Sequence, residues 1–383
     1  MNNCEPLTDR RPATLFWTRE TLALLDPATV NETPRIEPSR VAAVAANVDV
    51  WDAWPLADPC GRPVPWHGGE LWFALAAPSF ADPEQRHAHA RIHHFHRTDG
   101  RFIPVGTTFA DGMTSGSREW SGSARLEQGR VTLFFTAAGV RGEATPSFRQ
   151  RLYASDCRLT DDRAAPFTDW TTPVELFAAD GIDYRPADEV EGRPGTIKAF
   201  RDPAHFRDAD GTDYVLFTGS SARRPGTHDG VIGMARGSGA SGRWTLLPPL
   251  VDASATCNEL ERPHIVRHQG LLYLFWSSQR GVFAPGIAAP TGLYGAVAEA
   301  LEGPWQLLNG HGLVVANPRL YPTQAYSWWV LPDLSVASFV DYWGSRNVLA
   351  SADDRRAQFG GTFAPFLNLR LVGDRATLAP AGD

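Results

Sequence analysis

ELWFALAA (residues 70–77) is a short apolar run without helical spacing, introduced by the turn HGG (67–69). A run of this length bounded by turn residues reads as a β-strand covered on both faces. The reading repeats at RVTLFFTA (Arg130–Ala137), DYVLFTG (Asp213–Gly219), LLYLFWS (Leu271–Ser277) and LSVASFVD (Leu334–Asp341). The five copies start about 58 to 83 residues apart, and EQG, ADG, RHQG and LPD precede the later four.

A second short segment lies before each turn: VWDAWPL, REWSGSARL, FRDPAHF, LERPHIV and QAYSWWVL. A third follows each apolar strand, in RIHHFHR, QRLYASD, VIGMAR, LYGAVAEA and FLNLRLV, and a fourth appears as RFIPVG, RWTLLP and PWQLL. Five four-stranded units at this period predict an all-β chain folded as a five-bladed β-propeller. The whole of residues 1–383 then reads as one domain, with residues 1–45 as an N-terminal extension packed on it. The best helical periodicity is confined to Arg19–Leu25.

In such a fold the first strand of each unit lines a central axial pocket. The odd polar residues sit in those first strands: Asp202 stands 12 residues before Tyr214, Glu261 stands 11 before Leu272, and Ser121 stands 10 before Val131. Asp52 belongs to the same set, so Asp52, Trp120, Ser121, Arg201, Asp202, Glu261 and Tyr326 are expected around one cavity. Three carboxylates, an arginine and aromatic walls such as Trp51 and Trp120 are the equipment of glycosyl transfer. One carboxylate acts as nucleophile and another as acid/base, the acid kept protonated by burial or by neighbouring negative charge. Glu261 suits the acid, with Glu259 two residues away and, on a regular strand, on the same face. Asp202, between Arg201 and Pro203, suits a fixed acceptor for sugar hydroxyls.

VWDAWPL, EWSGSA, FRDP, ERPH and QAYS, in this order, resemble glycoside hydrolase family 68, the levansucrase and bacterial β-fructofuranosidase group. The resemblance runs from FWTR (16–19) to the closing strands. It implies a sucrose-cleaving retaining fructosyltransferase with sucrose and fructosyl acceptors as its partners. In that light Asp52 matches the nucleophile, Glu261 the general acid/base and Asp202 the transition-state stabiliser. Trp51, Trp120, Ser121, Arg201, Glu259, Arg262 and Tyr326 match sugar-binding or supporting positions. Some relatives carry Gln at the Glu259 position. Calcium-binding relatives carry Asp where Asn258 stands, so no calcium, no other metal and no cofactor is expected. In SSQRG either Gln279 or Arg280 fills the acceptor-contacting position, and Gln279 is the favoured one. The stretch between FRDP and ERPH is short for the family, which implies a trimmed rim loop and short fructooligosaccharide products. A β-fructofuranosidase that mainly hydrolyses sucrose is the neighbouring alternative. A non-catalytic sugar-binding propeller, or an arabinanase-like enzyme, stands further off.

Composition removes other classes. The chain has 43% hydrophobic and 21% charged residues and a net charge of −7, which disfavours nucleic acid and anionic membrane as partners. No apolar run is long enough to span a bilayer. MNNCEPLTDRRPATLFW lacks the apolar core of an ordinary signal peptide, so the expected location is extracellular by another route or cytoplasmic. Cys4, Cys60, Cys157 and Cys257 are far apart and read as free thiols. GSGASG (237–242) fits a dinucleotide fingerprint, but RWTLLPPL follows it, a strand where a helix is required. RHAHARIHHFHR (86–97) carries five histidines, read as a strand away from the channel and not as a metal site. NET (31–33) is a glycosylation sequon that matters only on a secretory route.

Overall fold

The structure, a computed structural model, describes residues 12–192, 195–237, 239, 242–344 and 351–379. The chain is all-β. The five apolar runs are strands Gly69–Pro78, Arg130–Ala138, Asp213–Ser220, Leu271–Ser278 and Ser335–Tyr342. Each is the second strand of an antiparallel group, and each is almost wholly buried, as its unbroken apolar pattern requires. Two-residue turns set the registers: His67-Gly68, Asp99-Gly100, Gln128-Gly129 and Gln269-Gly270 all have positive φ at both positions. That is the type I′ geometry whose twist matches the flanking strands.

The strand preceding each apolar run is Val48–Ala57, Arg118–Glu127, Phe200–Arg207, Glu261–His268 or Ala325–Val330. Third strands are Arg91–Thr98, Gln150–Leu159, Gly230–Gly237, Gly292–Ala298 and Leu367–Val372. In the fifth group a further strand, Phe359–Phe363, also pairs with Ser335–Tyr342. A parallel contact of Leu56 with Ala124 and Ala57 with Arg125 joins the first two groups into one continuous sheet. The remaining three groups form separate sheets.

The N-terminal segment ties the outer edges together. Helix Arg19–Leu22 starts from a Thr18 capping box, inside the predicted helical stretch. Leu15 and Phe16 pair in parallel with Val251 and Asp252. Trp17 is fully buried, with its ring 5.2 Å from Trp276 and 4.9 Å from Tyr294. Further on, the Thr33 amide bonds to Ala316 and the Ile36 amide to Gln324 Oε1, so the segment crosses from the third group to the fifth. The Asn31 side-chain amide of the sequon donates to the Val314 and Ala376 carbonyls, which engages both of its hydrogens in the fold.

Cys60, Cys157 and Cys257 are free, while Cys4 lies outside the described residues. GSGASG is described only at Gly237, Gly239 and Gly242, and the strands on its two sides, Gly230–Gly237 and Thr245–Asp252, pair antiparallel. Among the described residues no helix is long and apolar enough to cross a membrane.

Candidate active site

The first strand of every group is broken by a β-bulge at the same place. The register shifts fall between Trp51 and Trp54, Trp120 and Gly122, Arg201 and Ala204, Glu261 and His264, and Tyr326 and Trp329. In four of the five the second residue takes left-handed backbone: Asp52 at φ 51°, Asp202 at 62°, Arg262 at 52° and Ser327 at 62°. That conformation costs a non-glycine residue on the order of 1–2 kcal/mol, and Asp tolerates it better than most. In the second group Gly122 brings the backbone in close instead, since a Cβ there would sit 1.9 Å from the Phe134 carbonyl oxygen.

A regular strand would send consecutive side chains to opposite faces. The bulges cancel the alternation, as bulges near active sites commonly do. Trp51 with Asp52, Trp120 with Ser121, and Arg201 with Asp202 all line a single cavity of about 340 Å³. Glu259, Glu261, Gln279 and Tyr326 complete the expected set. Two details differ from the sequence reading. Glu259 precedes its strand, which begins at Glu261, so the two glutamates meet through Arg201 rather than by sharing a strand face. Glu261 also occupies the first bulge position, like Arg201 and Trp51, whereas Asp52 and Asp202 occupy the second. The bulges bring both positions to the pocket.

Arg262 is the exception among the expected residues. It lies beneath the cavity, outside the lining, and is buried. Its Nη1 donates to the Ser327 carbonyl and, at 2.6 Å, to Ser327 Oγ; its Nη2 donates to the Ala53 carbonyl at 2.7 Å. It therefore braces the bulges of the first and fifth groups. Gln279 is exposed on the rim, while its neighbour Arg280 faces a separate cavity beside Thr291 and Asn317.

The three carboxylates have distinct surroundings. Asp202 Oδ1 accepts from Ser121 Oγ at 2.7 Å and Oδ2 from Thr218 Oγ1 at 3.0 Å, so it is held rigidly. Burial raises its carboxyl above the usual range against the opposing charge of Arg201. Asp52 is not pinned in this way. Loss of solvent in the narrow pocket pushes its carboxyl up to about 6, opposed by Arg262 and the Ser327 hydroxyl. Glu261 Oε1 accepts from Arg201 Nη2 at 2.8 Å, and its Oε2 accepts from the Tyr326 hydroxyl. Glu259 Oε1 lies 3.3 Å from the same Nη2 without a hydrogen bond in line, and burial raises its carboxyl.

Several lining residues were not anticipated. Asp341 and Tyr342 close the fifth apolar strand, while Glu84, Arg86 and His87 come from the turn Pro83–Ala88. His87 thus corrects the expectation that the histidine tract lies away from the channel. His94 and His96 do share a buried face, bonded to Thr108 and the Trp66 carbonyl, and no His/Cys/Asp/Glu group among the described residues could hold a metal. Asp82 caps the Pro83–Ala88 turn and is clamped by Arg355 Nε at 2.9 Å. Buried Arg86 bonds to Glu84 and stacks over Phe359 at 4.5 Å. Asp341 Oδ1 is buried without a protein hydrogen-bond partner among the described residues, and burial pushes that carboxyl up to about 7. The Trp120 indole Nε1 is unpartnered in the same way. A free acceptor and a free donor in one cavity suit a ligand rich in hydroxyls.

The chain matches the Levansucrase/Invertase family over residues 8–231 and 228–382. It belongs to that family, glycoside hydrolase family 68. A levansucrase of Zymomonas mobilis subsp. mobilis is 36% identical over 358 residues, covering 85% of this chain and 81% of that protein. A levansucrase of Pseudomonas savastanoi pv. glycinea is 32% identical over 395 residues, covering 92% and 90%. Among solved structures, the inulosucrase from Halalkalicoccus jeotgali bound to kestose superimposes with a TM-score of 0.86 at 36% identity, covering 96% of this chain and 95% of that one. The β-fructofuranosidase catalytic domain of Microbacterium saccharophilum K-1 gives 0.83 at 26% identity, with 97% and 91% coverage. Asp52, Asp202, Glu261 and Arg201 of this family 68 chain share one cavity.

Proposed function

We propose that this family 68 enzyme cleaves sucrose and passes the fructosyl unit to sugar acceptors or to water. The observation that carries the reading is the convergence of Asp52, Asp202 and Glu261 on one cavity, with Arg201 between Asp202 and Glu261. Asp52 attacks the fructosyl anomeric carbon as that carbon's bond to the glycosidic oxygen breaks. Glu261 delivers a proton to that oxygen and glucose leaves. In the second half Glu261 takes a proton from an acceptor hydroxyl or water, whose oxygen displaces Asp52 from the same carbon. Asp202, fixed by Ser121 and Thr218, accepts from fructosyl hydroxyls and moves no proton. Arg201 orients Glu261, and Trp51 and Trp120 wall the sugar.

The five antiparallel groups, with their bulges facing one cavity, support a five-bladed propeller read as one domain with the N-terminal segment packed on it. Gln279 at the rim supports contact with the leaving or accepting sugar. Short fructooligosaccharides alongside hydrolysis are the products we infer, with β-fructofuranosidase activity as the neighbouring outcome. Incubation with sucrose, measuring glucose and fructose separately, tests the reading. Glucose in excess of fructose marks transfer, equal amounts mark hydrolysis, and no release of either sugar overturns it.

A further inference from the structure

Lys198 is the only lysine in the sequence, whose Lys and Arg together number 36. Every other residue of that count is an arginine. The exception is also nearly sealed, with its side chain 10% exposed. Its ammonium donates to Asp229 Oδ1 at 2.7 Å, the Gly226 carbonyl at 2.8 Å, Asn258 Oδ1 at 2.9 Å and the Thr227 carbonyl at 3.1 Å. Four oxygens surround a nitrogen with three hydrogens, the cage of a small spherical cation. A guanidinium is planar and wide, with donors fixed in a fork, and cannot fill such a cage. Asp229 supplies the compensating charge that a buried cation requires, and its other oxygen accepts from Arg185 and the Gly226 amide.

The cage connects directly to the catalytic cavity. Asn258 accepts from Lys198 with Oδ1, which points its Nδ2 at the Gly195 and Ile197 carbonyls, 3.2 Å from each. Gly195 and Ile197 line the cavity, and Asn258 is the residue before Glu259. On the other side the Lys198 carbonyl accepts from Gln150 Nε2 at 2.7 Å, and Gln150 Oε1 accepts from the Phe200 amide at 3.1 Å. Those bonds fix the entry of the strand that carries Arg201 and Asp202. The ammonium thus stands between the segment bearing Glu259 and Glu261 and the segment bearing Arg201.

We propose that Lys198 is a positioning residue for fructosyl transfer, a built-in cation that holds these two segments so that Arg201 meets Glu259 and Glu261 together. The inference rests on the sucrose-cleaving reading above. Removing the ammonium lets the segments slip around Arg201, Glu259 and Glu261, while Trp51, Asp52 and Trp120 stand on other strands and stay in place, so kcat falls more than KM changes. Misplacement on the ångström scale costs up to about 100-fold in rate.

The test uses the full chain with Lys198→Met, an uncharged substitute of similar length, and Lys198→Ala, which removes three methylenes and the amine. Glucose release from sucrose is followed at varied sucrose, with and without propylammonium and with 1-propanol as the neutral control. The expected result is a kcat lower by about 10- to 100-fold in both variants with KM within a few-fold. Propylammonium, but not propanol, should restore a measurable part of the Lys198→Ala rate. A folded Lys198→Met enzyme with wild-type kcat overturns the proposal. If both lysine variants fail to fold, Asn258→Ala decides: reduced kcat supports the positioning role, and wild-type kcat assigns Lys198 to stability alone and overturns it. Absence of glucose release by the unaltered enzyme would refute the functional reading itself, a result separate from any of these.

Discussion

Tyr326, from the fifth group, donates its hydroxyl hydrogen to Oε2 of Glu261, from the fourth, while Arg201 from the third occupies Oε1. Three separate strands thus fix one carboxylate. Tyr326→Phe removes one of the two hydrogen bonds that orient Glu261, worth about 0.5–1.5 kcal/mol. The expected outcome is a kcat/KM for sucrose lower by roughly 2- to 10-fold with an unchanged circular dichroism spectrum. A loss under twofold would show that the tyrosine does not orient Glu261.

The two glutamates beside Arg201 are separated by substitution. Glu261→Gln should lower kcat by about 10²–10⁴, the usual contribution of a positioned acid/base. Glu259→Gln should cost far less, because Glu259 acts on Arg201 and not on the reacting oxygen. The reverse order of effects in steady-state kinetics would exchange their roles.

Asp52 must be ionised to attack, and its carboxyl is pushed up to about 6. The acid limb of the kcat/KM profile should therefore rise with pH through about 6. Asp52→Asn should abolish turnover with the fold intact, since an amide cannot form the ester to the fructosyl carbon. Substantial residual glucose release by that variant would remove Asp52 from the nucleophile's place.

Stability should run opposite to activity. Asp341 has a folded-state carboxyl raised to about 7 from an ordinary value of 3.8. A raised acid stabilises the fold while protonated, so its contribution is complete below about 4 and is lost as pH climbs to about 7. Asp341→Asn should flatten that slope, giving a Tm above that of the unaltered enzyme at pH 8 and close to it at pH 4. Equal pH slopes of Tm in the two proteins would show that Asp341 does not carry this penalty.

Gln279 and Arg280 are adjacent in sequence but face different cavities. Gln279→Ala should raise the ratio of free fructose to glucose, because water needs no sugar-binding side chain. Arg280→Ala should leave that ratio unchanged. Chromatography of the products at high sucrose checks both, and a changed ratio in Arg280→Ala alone would move the acceptor contact there.

The repeat was legible because each apolar strand carries its own turn signal, so the group structure could be read from residues close in sequence. Asp52 and Asp202 were legible as polar interruptions of such patterns. The bulges were not: left-handed backbone at Arg262 and Ser327 leaves no mark in composition, since neither residue type favours it. Without the bulges, the shared direction of Trp51 and Asp52 cannot be deduced, and Glu259 appears to belong to a strand that starts after it. His87 and Arg86 escaped because they reach the pocket from a turn outside the first strands. Asp341 did leave a signal, a carboxylate closing LSVASFVD at the end of the strand where Gln279 follows LLYLFWSS. The useful pattern was the pocket end of every second strand, not only the first strands.

The confinement of the sequence's one ε-amino group to a sealed cage bears on durability as well as catalysis. Glucose and fructose, the monosaccharides released in the proposed reaction, are reducing sugars whose open-chain carbonyls condense with lysine amines to give Schiff bases and then stable adducts. Lys198 offers them little access, with its ammonium held by four oxygens, and the surface presents guanidinium groups, which do not condense readily with the hexose itself. A protein built this way should incubate in concentrated product syrup without accumulating hexose on its side chains.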